Sequence, residues 1–199
     1  MDYQIFCPTN KPFNDPSLVA LKSAVAQSEP LHTVHMSCIV DGSAAKNRNH
    51  CLDHCSAEYI VMIDDDVRQF PADFALRLVT TLQKWAHAAM CSAKLMNGHG
   101  EMFMGGYIQN TTKGIGVSRA GWVPTACVAF RKTERRFDES LPWVEDVDWC
   151  WSVIEDQPDA IFIVDNSVQV YHANEEKWRK GDNVQRGQDV FKAKWGRLP

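Results

Sequence analysis

One stretch limits this chain more than any other: Tyr59-Ile60-Val61-Met62-Ile63-Asp64-Asp65-Asp66-Val67. A short apolar run rich in Ile and Val reads as a strand buried on both faces. It ends abruptly in three adjacent aspartates. Carboxylates crowded at the mouth of a buried strand repel one another, and a hard cation such as Mg²⁺, Mn²⁺ or Ca²⁺ relieves that repulsion. In open α/β sheets, ligands bind beyond the carboxyl ends of the strands, where these aspartates would sit. A solvated acidic turn after a core strand is the plainer alternative on spacing alone.

The surrounding pattern predicts the rest of the layout. Tyr3 to Cys7 reads as a first strand, stopped by Pro8-Thr9-Asn10-Lys11-Pro12. Pro16 to Ser28 carries Leu18, Val19, Leu21 and Val25 at helical spacing. Thr33 to Val40 reads as a strand closed by Asp41-Gly42-Ser43, and Ala44 to Cys55 as a helix. After the aspartates, Pro71 to Trp85 reads as a helix with Phe74, Leu78 and Leu82 on one face. Alternating strands and helices imply an α/β fold with a parallel sheet and right-handed crossovers.

The second half is less regular. Ala88 to Leu95 has strand character. Asn97 to Gly116 holds six of the eleven glycines, suiting either a site-lining loop or a plain surface loop. Gly121 to Arg131 reads as a strand, Asp146 to Ile154 as a helix, and Ala160 to Tyr171 as one or two strands ending at His172. Glu145 and Asp146 fall at a helix start, where the dipole favours carboxylates. A last helix covers about Gln188 to Trp195.

Composition narrows the function classes. A chain of 199 residues, 45% hydrophobic and 23% charged, suits one globular domain. The formal charge of −4 argues against coating nucleic acid by charge alone. No apolar stretch approaches the roughly 20 residues that span a bilayer, and no signal peptide is visible. Seven scattered cysteines suit a reducing compartment, so a cytoplasmic location is expected.

Taken in order, Asp41-Gly42-Ser43, Arg48-Asn49, the strand with Asp64-Asp65-Asp66, Glu145-Asp146, His172 and Phe191-to-Gly196 resemble family 2 glycosyltransferases of the GT-A fold. The resemblance implies a single GT-A (Rossmann-like) domain over 1–199, with a central, mostly parallel sheet flanked by helices. Residues 1–95 would form the nucleotide-sugar-binding half, 96–173 the acceptor and catalytic half, and 174–199 a tail. It also implies a nucleotide-sugar donor, a UDP-sugar first among them, Mn²⁺ or Mg²⁺, and inversion at the anomeric carbon.

Residue roles follow from the same resemblance. Asp66 would reach the metal with Asp64 or Asp65, and His172 would supply a further ligand. Asp64 and Asp65 also stand as donor contacts, because one aspartate of this motif touches the ribose. Asp41 would accept hydrogen bonds from the nucleobase, with a simple Asp-Gly turn as the other reading. Arg48 would lie near the diphosphate, with Lys46 sharing the task, and Pro8 and Thr9 would offer donor-binding backbone. Asp146 would be the general base, since an inverting transfer needs a carboxylate to take the acceptor's proton. Glu145 would orient the acceptor or cap the helix. Trp143 and Trp149, with Trp151, offer rings for the acceptor, although tryptophans at these spacings are as often core.

Three readings compete at the edges. His50, Cys51, His54 and Cys55 have a spacing that can bind zinc, against buried cysteines with surface histidines. A nucleotidyltransferase would share the sheet and the metal-binding aspartates, but Cys7-Pro8-Thr9-Asn10-Lys11 lacks the glycine-rich loop of that class. A non-catalytic sugar-binding module would have lost the metal or base positions. The acceptor would be a glycan or, as in small phage-type enzymes, a modified DNA base. For the latter, Arg131, Lys132, Arg135, Arg136, Lys177, Arg179, Lys180 and Arg186 form a possible polyanion surface.

Overall fold

The structure is a computed structural model that describes residues 2–39, 42–96, 116–173 and 182–198. Its elements in order are β1 (Tyr3–Thr9), α1 (Pro16–Ser28), β2 (Val34–Cys38), α2 (Ala44–His54), β3 (Tyr59–Ile63), β4 (Val67–Arg68), α3 (Phe74–Lys84), β5 (Ala88–Met96), β6 (Val117–Ala120), β7 (Cys127–Arg131), α4 (Glu145–Asp156), β8 (Ile161–His172) and α5 (Asp182–Trp195). The strands form one sheet in the order β2-β1-β3-β7-β5-β8-β4, with β6 also paired to β8. Strands β1, β2, β3, β5 and β8 share one direction, while β7, β4 and β6 run against them. The sheet is therefore mostly parallel, as expected, with β7 inserted antiparallel between β3 and β5.

Alternation along the strands sorts the core into layers. Tyr59, Val61 and Ile63 pack with Leu21 and Val25 of α1 and with Phe74, Leu78 and Leu82 of α3. Ile60 and Met62 point the other way, onto Ala45, Cys51 and Leu52 of α2 and Trp149, Cys150 and Val153 of α4. A strand buried on both faces must be apolar throughout, and β3 is. A smaller cluster of Leu141, Val144, Val147 and Phe191 seats α5 against α4.

Local chemistry sets the helix starts. At α1, the Asp15 carboxylate accepts the Ser17 N–H (2.8 Å) ahead of Pro16. Val19 is exposed there, so Leu18, Leu21 and Val25 form the apolar part of the buried stripe. Helix α3 begins at Phe74 rather than Pro71, because Asp73 is left-handed and ends the preceding turn. The buried Glu29 carboxylate then accepts the Ala75 N–H (2.6 Å), a cap supplied from α1's end. Strand β1 runs through Pro8 to Thr9, two residues past the expected stop, since a proline at a strand end forfeits little pairing.

Candidate active site

The order β2-β1-β3 means that the chain leaves β1 for one side and returns on the other. Such a switch point opens a crevice at the carboxyl ends of β1 and β3. Asp64, Asp65 and Asp66 stand there. They form a turn rather than the end of a long strand: the Asp64 N–H donates to the Ala126 carbonyl (2.8 Å) and the Val67 N–H to the Asp64 carbonyl (3.1 Å). The turn lets Val67 pair with His172 at the end of β8.

Each aspartate meets a different partner. Arg48 Nη2 donates to both Asp64 oxygens (2.9 and 3.2 Å). Asp65 turns towards β1, where the Thr9 hydroxyl and Lys11 Nζ (2.8 Å) donate to it. Asp66 Oδ1 lies 3.4 Å from Nε2 of the buried His172. The ligand atoms of Asp64, Asp66 and His172 lie within 4.8 Å of one another. Two carboxylates and an imidazole in that spread fit a divalent cation such as Mn²⁺ or Mg²⁺. Asp65 is not in that group.

Helix α2 places Arg48. Ser43 caps it by accepting the Lys46 N–H (3.2 Å), and Asn47 Oδ1 accepts the Ile39 N–H (2.7 Å). Gly42 is required at this junction, because a Cβ there would lie 2.9 Å from the Ile39 carbonyl oxygen. Arg48 is buried, and its Nη1 donates to Glu145 at the start of α4. Burial opposes its charge, but Asp64, Glu145 and Asp146 outweigh it and hold the guanidinium protonated. Lys46 is exposed on the same helix and offers no such contact among the described residues. Asp41 lies outside the described residues.

The start of α4 has unusual backbone. Val144, a β-branched residue, is left-handed (φ 62°), a conformation that only surrounding contacts can hold. Glu145 is tied to Arg48. Asp146 is half-buried, and its carboxylate accepts the Val147 N–H (2.8 Å). Its pKa is pushed up to about 7, by burial first and then by the Glu145 charge, against the pull of Arg48. A carboxyl in that range is suited to taking a proton near neutrality.

The aromatic residues divide. Trp149 is in the core, packed on Phe130 and Phe137 at 5.6 and 5.9 Å between ring centroids, and is not brought to the crevice. Trp143 is half-buried beside α5, whose Gly187 has room for no Cβ: it would meet Trp143 Cβ at 2.8 Å. Trp151 packs on Phe191 and Trp195. The glycine-rich stretch 97–115 lies outside the described residues.

Two surface readings change. Cys51 and Cys55 are buried, and His50 and His54 lie with their rings adjacent and tilted and bond locally to Ser37 and the His50 carbonyl. These four form no metal-holding group among the described residues. The basic cluster is largely neutralised: Arg131 pairs with Glu58, Arg135 with Asp156 and Arg136 with Asp53, while Lys132 donates to the Cys55 carbonyl. Lys177, Arg179 and Lys180 lie outside the described residues. Sequence reasoning missed Lys11, whose only signal was its place after β1; Asp148, a further acid in the first turn of α4, is buried and bound by Lys194 Nζ (2.9 Å) and the Trp195 indole N–H (2.8 Å).

No family model and no curated protein matches the sequence. Solved structures do match the fold. A197 from STIV is 13% identical with a TM-score of 0.58, covering 89% of this chain and 88% of that one. GalNAc-T7, solved with UDP, GalNAc and Mn²⁺, is 10% identical with a TM-score of 0.59, covering 96% of this chain but 41% of that one. TarS 1–349 from S. aureus is 13% identical with a TM-score of 0.55, covering 87% and 60%. GalNAc-T7 and TarS are glycosyltransferases of the GT-A type, and the fold of this chain is GT-A-like. The chain thus spans well under two thirds of the GalNAc-T7 chain. Among the described residues, no helix is long and apolar enough to cross a membrane.

Proposed function

We propose that this chain is an inverting glycosyltransferase that takes a nucleotide-sugar, a UDP-sugar first among them, and transfers the sugar to an acceptor hydroxyl with Mn²⁺ or Mg²⁺. The observation that carries the reading is the convergence of Asp64, Asp66 and His172 at a switch-point crevice, with Arg48 linking that cluster to the start of α4. When bound, the cation would act as a Lewis acid on the diphosphate leaving group.

The chain's own residues supply the rest. Asp65, held by Thr9 and Lys11 at the end of β1, lines the donor side with Pro8. Asp41, close in sequence to the end of β2, stands for the nucleobase. On the other side, Asp146 takes the proton of the acceptor hydroxyl. The acceptor oxygen bonds to the anomeric carbon as the bond from that carbon to the phosphate oxygen breaks. The nucleoside diphosphate leaves with the electron pair, and attack from the opposite face inverts the carbon. Trp143 is the remaining aromatic residue for an acceptor ring. Pairing of Arg131, Arg135 and Arg136 with acids favours a glycan hydroxyl over a DNA base.

Calorimetry with UDP in Mn²⁺ and in chelator tests the reading. Binding that needs the cation, with a matching rise in melting temperature, is the expected result. Equal UDP affinity in both would sink the metal role. Pyrophosphate release from a nucleoside triphosphate and a sugar phosphate would favour the nucleotidyltransferase instead. UDP-sugar binding with neither hydrolysis nor transfer would favour the non-catalytic module.

A further inference from the structure

We infer that Arg48 is an internal counter-ion shared between the cation cluster and the base helix, so that cation binding at Asp64 and the placement of Asp146 are coupled through it. The resemblance assigns Arg48 to the donor diphosphate. Its environment points elsewhere. The residue is 5% exposed, and both terminal nitrogens are committed: Nη2 to the two Asp64 oxygens and Nη1 to Glu145. A planar guanidinium can fork between two carboxylates in this way, whereas an ammonium cannot hold the same geometry.

Two consequences follow from charge alone. A fixed positive group bonded to Asp64 opposes a divalent cation on the same carboxylate. Once a cation draws on Asp64, the hold of Arg48 on Asp64 weakens and its attraction to Glu145, next to Asp146, gains weight. Coupling of this kind is reciprocal: whatever strengthens the Arg48–Glu145 contact also favours the cation. The backbone supports a need for such a tie. Helix α4 starts from the left-handed Val144, and the ion pair of Glu145 with Arg48 is the first side-chain anchor after that strained residue. Arg48 is thus a positioning residue for Asp146, which rests on the reading of Asp146 as the base.

The test uses the full chain and Mn²⁺ alone as the first probe, followed by transfer kinetics. Arg48→Gln is expected to tighten Mn²⁺ by at least about fivefold, while kcat falls and the donor KM stays close to wild type. Glu145→Gln is expected to weaken Mn²⁺ by a similar factor, because Arg48 then rests wholly on Asp64. Arg48→Lys is expected to keep Mn²⁺ affinity near wild type and still lower kcat. If Arg48→Gln does not fold, the other two variants carry the test.

A merely structural Arg48 would loosen Mn²⁺ in Arg48→Gln, and a diphosphate ligand would raise the donor KM and weaken UDP in saturating Mn²⁺; either result overturns the inference. Mn²⁺ affinity unchanged in both Arg48→Gln and Glu145→Gln overturns it as well. A wild type that binds Mn²⁺ yet transfers no sugar would sink the proposed function while the opposite Mn²⁺ shifts still stand. A wild type that transfers sugar while Arg48→Gln loses Mn²⁺ sinks this inference alone.

Discussion

Two acidic clusters face different problems in this molecule. At the end of β3, Asp64, Asp65 and Asp66 each meet a basic side chain from a different element: Arg48 from α2, Lys11 after β1 and His172 from β8. At the start of α4, Glu145 is held by Arg48 and Asp148 by Lys194 and Trp195. Asp146 receives only a backbone N–H among its described hydrogen bonds. The difference shows that residue type does not assign the role. Carboxylates that meet a basic side chain are held in place by it, and the one enclosed beside a like charge holds its proton to higher pH.

The comparison is broken most directly at Asp146. Asp146→Asn keeps the shape and removes the proton acceptor, so transfer should fall by about 10²–10⁴-fold with UDP affinity and fold retained. If the residue only starts a helix, asparagine serves as well and the rate stays near wild type. Glu145→Gln is the neighbouring control and should cost less in rate.

The pH dependence sharpens the same point. With its native pKa raised to about 7, Asp146 binds a proton in the folded state that the unfolded chain releases above about pH 3.9. Its contribution to stability is complete below that unfolded value and is lost as the pH rises through about 7. Melting curves of the cation-free chain should show a downward slope in that window, and Asp146→Asn should flatten it. An unchanged slope would place the raised carboxyl elsewhere.

A smaller effect is expected where a cation is removed from the second cluster. Lys194→Met leaves the buried Asp148 with the Trp195 indole as its side-chain partner among the described residues, and denaturant melts should show a loss of about 1–3 kcal/mol. Transfer rate should change little, because Asp148 faces α5 rather than the crevice. The smallest effect belongs to the surface: Arg136→Ala should shift stability by less than about 1 kcal/mol and leave glycan transfer alone. A loss of activity confined to a DNA acceptor would reopen the polyanion reading.

The sequence by itself determined most of the helices and the central strands, though it missed β4 and β6 and began β7 six residues early. The continuous apolar run of Tyr59 to Ile63 and the stripe of Phe74, Leu78 and Leu82 are local patterns, and each is buried as its pattern dictates. It could not state strand direction, because a hydrophobic run reads the same either way, so β7's antiparallel insertion stayed hidden. Nor could it choose among three adjacent aspartates. Their side chains diverge through a turn, and the groups that claim them lie 16 residues away for Arg48 and 54 for Lys11, with Glu145 reached across a further 97. Only the packing of α2 and α4 on one face of the sheet brings those groups together, and burial there, with the Glu145 charge beside it, decides which carboxylate has its pKa raised.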